Sequence, residues 1–122
     1  MRDLRQLSGP WTGFWIQGKT RGDMSLSLQF GSSSVDGHGE DLIGPFEIGG
    51  VHSEQTYLVQ FVKGHFSHTV FYSGRWDGEM IAGLWTVRYG GYLESGEFEI
   101  WPKKASEGLI AAINEDQIVT RH

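Results

Sequence analysis

From Trp11 to Trp101 apolar and polar residues alternate with a period of two, and clusters of turn formers interrupt the alternation about every 8–12 positions. That pattern predicts an all-β chain of eight strands, approximately Pro10–Lys19, Asp23–Phe30, Ser34–Glu40, Gly44–Gly49, Glu54–Lys63, Phe66–Asp77, Glu79–Arg88 and Ser95–Pro102. The breaks read KTRGD, FGSS, EDLI, GGVHS, KGH, DG and YGGYLE, with Asp77-Gly78 the strongest hairpin signal among them. No segment before residue 105 has helical periodicity of useful length, so there are no crossover helices and neighbouring strands must pair antiparallel.

A short motif recurs: a glycine, an aromatic two residues on, and often an aliphatic two beyond. It stands at GFWIQ (13–17), GPFEI (44–48), GLWTV (83–87) and GEFEI (96–100), with GRW at 74–76 as a shorter copy. In a strand these positions share one face, while Glu47, Thr86, Glu97 and Glu99 take the other. One face is therefore buried and one wet. Continued along the chain, the parity assigns Trp11, Trp15, Gln17, Met24, Leu26, Leu28, Phe30, Val35, Phe46, Ile48, Tyr57, Val59, Phe61, Phe66, His68, Val70, Tyr72, Trp76, Ile81, Trp85, Val87, Phe98 and Ile100 to the inside. In the fifth strand the opposite register, with Leu58, Gln60 and Val62 inside, stays open. Alternating large and small inward residues suits a narrow barrel, where a tryptophan on one strand lies over a neighbour's glycine.

The expected fold is a single closed antiparallel up-and-down eight-stranded β-barrel. It forms one domain spanning residues 1–122, with its barrel core at about 10–102. Asp3–Leu7 is expected to close one mouth as a turn of helix. Residues 103–122 read either as a tail or as a short capped helix at Ser106–Ile113.

Composition narrows the partners. Fifteen acidic against ten basic residues give a net charge of −5, the wrong sign for gripping phosphate backbones, and the basic residues are scattered, so no nucleic-acid partner is expected. The chain has no cysteine, which excludes disulfides, thiol catalysis and cysteine-bound metal clusters. MRDLRQLSG has no apolar leader, and no apolar run approaches the roughly 20 residues of a membrane helix. The expectation is a soluble, cytoplasmic protein without a membrane partner.

GFWIQG, YSGRW and IAGLWTV together resemble the avidin and streptavidin family, whose eight-stranded up-and-down barrels bind biotin; the G-x-W of the first strand is also similar to lipocalin relatives in the wider calycin group. The resemblance covers roughly residues 11–102 in architecture and these three stretches in sequence. It implies that Gln17 stands where the avidin first strand offers an Asn to the ligand, that Tyr72 stands where a ligand-contacting Trp precedes Ser-Gly, and that Trp85 matches a Trp reaching across a subunit interface. The pattern departs elsewhere. The last-strand Asp of that family falls at Gly96, its hydroxyl residue has no clear counterpart in KTRG, and the lipocalin T-D-Y motif is missing.

The chemistry to be placed inside is sparse: Gln17, Tyr57, His68, Tyr72 and the indole nitrogens of Trp15, Trp76 and Trp85. Such a list fits an apolar pocket with a few polar handles, and equally a packed core whose dipoles satisfy one another. His68 is the only histidine of inward parity, and His65-x-x-His68 puts its rings on opposite faces of a strand. Asp36-x-His38-x-Glu40 shares one outer face, but its ends lie about 13 Å apart along an extended strand, too far to share an ion at about 2.0–2.2 Å. Arg21-Gly22-Asp23 reads as a hairpin turn. No nucleophile elbow, H-E-x-x-H, phosphate loop or inward carboxylate pair appears, and every Asp and Glu on a clear strand falls outward, so no catalytic residue, metal or cofactor is expected.

These residues support non-enzymatic binding of a small, largely apolar or aromatic ligand in the barrel mouth. Trp15, Phe46, Tyr72, Trp76 and Trp85 would form its walls, and Gln17, Tyr57 and His68 its polar handles. The alternative is a solid barrel acting as a protein-interaction or homo-oligomerisation module through Phe14, Ile16, Phe71, Leu84 and Trp101.

Overall fold

A computed structural model of the chain describes residues 1–103, apart from the side chain of Tyr89. A 3-10 turn, Leu4–Leu7, precedes eight strands: β1 Gly9–Gln17, β2 Thr20–Phe30, β3 Ser34–Asp41, β4 Gly44–His52, β5 Leu58–His65, β6 Thr69–Trp76, β7 Ile81–Tyr89 and β8 Tyr92–Pro102. Each pairs antiparallel with its sequence neighbour, and β8 returns to β1 through Trp11↔Pro102 to Trp15↔Phe98, closing an up-and-down barrel. Closure leaves no strand edge unpaired, which removes the liability of a meander of this length. The expected tail or helix of residues 103–122 falls outside the described residues beyond Lys103.

The recurrent glycines are explained by the register. Trp15 pairs with Gly22 across β1 and β2, and a Cβ at Gly22 would overlap the Trp15 ring. Likewise Trp85 pairs with Gly96, whose Cβ would strike the Trp85 indole. Each indole therefore lies flat over a neighbouring backbone that has no side chain to displace it.

The interior is solid at mid-height. Phe61 stacks on Tyr72 with ring centroids 4.9 Å apart, and Phe98 meets Tyr72 edge-on at 4.8 Å. One end is then plugged. Asp3 accepts from the Arg5 amide to start the 3-10 turn, Leu4 drops into the core, and Trp11 Nε1 donates to Leu7 O at 2.8 Å while Trp76 Nε1 donates to Arg2 O at 2.9 Å. The turns at the other end, Gly18–Lys19, Leu42–Ile43, Phe66–His68 and Gly90–Gly91, have no such plug among the described residues.

Several expected positions move. The fifth strand begins at Leu58 instead of Glu54, because Tyr57 sits at φ 61° and closes a turn with its amide bonded to Ser53 O; its side chain is 41% exposed. The register with Val59 and Phe61 inside is the one adopted. Phe66 leaves the interior for the β5–β6 loop, where it is fully exposed, and β6 starts at Thr69. Arg21-Gly22-Asp23 lies within β2, the turn falling two residues earlier. His52, assigned to no strand from the sequence, is buried at the end of β4 and bonds Gly31 O through Nε2 at 2.7 Å.

Gly22→Ala is expected to lose about 1–3 kcal/mol of unfolding free energy by overpacking and to shift the tryptophan emission. Gly49→Ala, where a Cβ meets nothing within 4 Å, is expected to be neutral or stabilising. Urea denaturation followed by fluorescence separates the two.

Candidate functional site

Two charged side chains are buried inside the barrel near the unplugged end, and Glu94, opposite the buried Val87, shares that inward face half-buried. Lys63 follows Val59 and Phe61 on the inward side of β5 and is 2% exposed. Asp41, the last residue of β3, follows Val35, Gly37 and Gly39 and turns a fully buried carboxylate inward. Lys63 Nζ donates to Asp41 Oδ2 at 2.6 Å and lies 3.7 Å from Met24 Sδ. The ammonium also stands 5.0 Å from the Phe46 ring centroid, 5.1 Å from that of Tyr72 and 6.0 Å from that of Trp15, an aromatic surround that offsets part of its desolvation. This corrects two expectations: an acidic strand residue does point inward, and it is paired with a lysine that had been given no role.

Asp41 does a second job with its other oxygen. Oδ1 accepts from the amides of Ile43 at 2.9 Å and Gly44 at 3.3 Å, so one carboxylate caps the β3–β4 turn and anchors it to the core. Ile43 in that turn closes over a small cavity of about 40 Å³, whose walls include Trp15, Val70, Tyr72, Trp85 and Val87, with Gln17, Lys63 and His68 as the polar members. A larger concavity exists on the wall of β2–β5 beside His38, Glu40 and Glu47, with His65 at its edge, but it opens broadly to solvent.

The histidines also differ from expectation. The Ser67 turn breaks the strand between His65 and His68, so their rings stack at 4.8 Å instead of facing opposite ways. The His65 side chain is 3% exposed, with Nε2 3.3 Å from Asp41 Oδ2 but not aligned to hydrogen-bond it. His68, half-exposed, shares a 2.9 Å contact between Nδ1 and Ser67 Oγ. His68 is thus not the sole inward histidine.

Burial sets the proton affinities. Desolvation pushes the Asp41 carboxyl up, but the Lys63 hydrogen bond and charge, the Ile43 amide and the field of His65 outweigh it and leave the group below the usual carboxylate value. Desolvation draws Lys63 below the ordinary lysine value against the pull of Asp41. His65 is lowered too, by burial first and then by Lys63 and His68, with Asp41 opposing. Tyr72 is raised by burial and by the Asp41 charge, so its hydroxyl stays protonated.

Of the residues singled out in the sequence, Trp15, Gln17, His68, Tyr72 and Trp85 gather around the cavity, and Phe46 adjoins it through Lys63 and His65. Gln17 is committed to Glu94 Oε1 at 2.7 Å, across the β1–β8 seam. Tyr57 and Trp76 lie at the plugged end and cannot serve the same site. Trp85 Nε1 donates to Ile16 O at 2.9 Å, whereas Trp15 Nε1 is buried without a partner.

Comparisons of the chain with family models, with curated proteins and with solved structures find no match.

The two groups lowered in the acid range, His65 and Asp41, make acid sensitivity the expected outcome. His65 binds protons more weakly folded than unfolded, so stability rises with pH from its folded value up to the ordinary histidine value near about 6.5. Below about pH 5 the Asp41 contribution, present above the unfolded carboxyl value, is lost as pH falls through the lower folded one. Each group adds a slope of at most about 1.4 kcal/mol per pH unit. Urea titrations from about pH 3 to 8 should show both arms, and Asp41→Asn should flatten the lower one.

Proposed function

We propose that the chain binds a small, largely apolar or aromatic ligand, without a chemical step, at the unplugged end of the barrel. Trp15, Tyr72, Trp85, Val70 and Val87 supply the apolar walls and Lys63 the deepest polar contact. The observation that carries this reading is the contrast in indole bonding. Trp11, Trp76 and Trp85 each donate to a carbonyl, while Trp15, on the cavity wall, has a buried N–H with no acceptor. An unmet buried donor costs about 1–3 kcal/mol, and a ligand acceptor would recover it.

The stacked Phe61, Tyr72 and Phe98 rings stop any ligand at mid-barrel, and the cavity as it stands holds only a few atoms. Binding therefore requires Ile43 and its turn to move outward. Leu42, Ile43, Phe66 and Leu93 at this end are exposed apolar groups, and the bond that ties the Leu42–Ile43 turn to the interior is the one from Lys63 to Asp41, whose other oxygen caps the turn. The likeness to avidins and other calycins supports a ligand at a barrel end.

A second reading, an interaction module, draws on the outer wall, where Phe71 lies opposite Val62 on β5 and near Leu84 on β7, all three at least 41% exposed. Phe14 and Trp101 instead pack edge to face against each other and are half-buried.

Titration of a panel of small planar aromatics into ¹⁵N-labelled protein decides between them. The expected result is a shift of the Trp15 indole resonance, accompanied by Ile43 and His68, with Trp76 unmoved. Shifts confined to Phe71, Val62 and Leu84 that grow with protein concentration alone would overturn the pocket in favour of the outer wall.

A further inference from the structure

We infer that the ligand is a small aryl-substituted carboxylic acid, and that Asp41 is a built-in stand-in for its carboxylate, occupying Lys63 until the acid exchanges with it. This rests on the pocket reading above and adds the ligand's charge and the means of entry.

The argument starts from charge balance. Lys63 stands near the unplugged end of β5 with a side chain only 3% exposed, so its buried ammonium needs an anion wherever Asp41 goes. Asp41 is placed differently. It is the last residue of β3, bordering the exposed Leu42–Ile43 turn, and moving that turn outward carries its carboxylate toward water. An incoming carboxylate leaves the buried charge unchanged, replacing one CH₂–COO⁻ by another against the same Nζ. A neutral or cationic ligand would leave Lys63 unpaired or add a second positive charge.

The remaining geometry supports the exchange. The same movement that withdraws Asp41 removes Ile43 from the cavity, since Oδ1 of Asp41 holds the Ile43 amide. Space for the ligand body and release of the ammonium therefore come together. The unpartnered Trp15 Nε1 provides a further donor, and Trp15, Tyr72 and Trp85 provide flat apolar surface for an aryl group.

An internal competitor lowers apparent affinity by the fraction of molecules in which it holds the site. The test compares 3-phenylpropionate with its amide and its amine analogue by calorimetry on wild type, Asp41→Asn and the double variant Lys63→Met/Asp41→Asn, which has no buried charge left unpaired. The expected result is preference for the acid in wild type and roughly tenfold or greater tightening for the acid alone in Asp41→Asn. The double variant should lose the preference while still binding the amide. Equal binding of acid and amide, unchanged by Asp41→Asn, would overturn the carboxylate assignment and leave the pocket standing. Preference for the amine, abolished by Asp41→Asn, would make Asp41 itself the ligand's partner and overturn the exchange. Absence of binding by all three probes in every variant would overturn this inference, and the pocket reading stands or falls separately on the aromatic panel.

Discussion

Closure of β8 onto β1 is the constraint from which the rest follows. Once a ring of eight strands is shut, the inward side chains must share one narrow axis, and the space per strand is too small for every position to be large. The chain solves this by pairing each cavity-end indole with a glycine: Trp15 over Gly22, Trp85 over Gly96. The same limit fills mid-barrel with three aromatic rings and so restricts any site to the two ends.

The ends are then treated in opposite ways. At the plugged end the 3-10 turn supplies carbonyls to Trp11 and Trp76, and Ser8 Oγ accepts from the Phe30 amide, so polar groups exposed by the strand ends are met locally. At the other end no segment among the described residues covers the mouth. A charged pair lies below it, held by a turn whose apolar residues face water.

Much of this was readable in advance. Strict alternation with Gly-x-aromatic repeats fixed the barrel, its strand number and nearly all of its core, because each strand has one wet and one dry face and a slip of one residue would reverse both. The two central site residues follow from the same parity: Lys63, the last residue of the expected fifth strand, is two past Phe61, and Asp41, one past the expected third strand, is two past Gly39. Polar residues at strand ends look like the beginning of a loop, and only the three-dimensional closure shows that these two meet. Local turns hid other features. Positive φ at Tyr57 and the bend at Ser67, which stacks His65 on His68, are departures from extended geometry that periodicity does not report. Trp15 and Trp76 share a face by parity, yet strand direction puts them at opposite ends of the barrel.

A buried ion pair is weak evidence for stability, since well-packed apolar residues of similar volume commonly do as well or better. Elsewhere this barrel is filled by such residues, and Val70, paired with Lys63 across β5 and β6, shows that the layer accepts an aliphatic side chain. A lysine and an aspartate at that level therefore add desolvation and contribute no packing that Leu or Met would lack. Local rules broken without a structural gain tend to mark functional positions. Among the described residues, the break coincides with the only interior indole left without an acceptor and with the mouth that has no plug. Three departures from a well-filled barrel converge on one end, and the proposed ligand, with an anionic edge and an apolar body, would resolve all three at once.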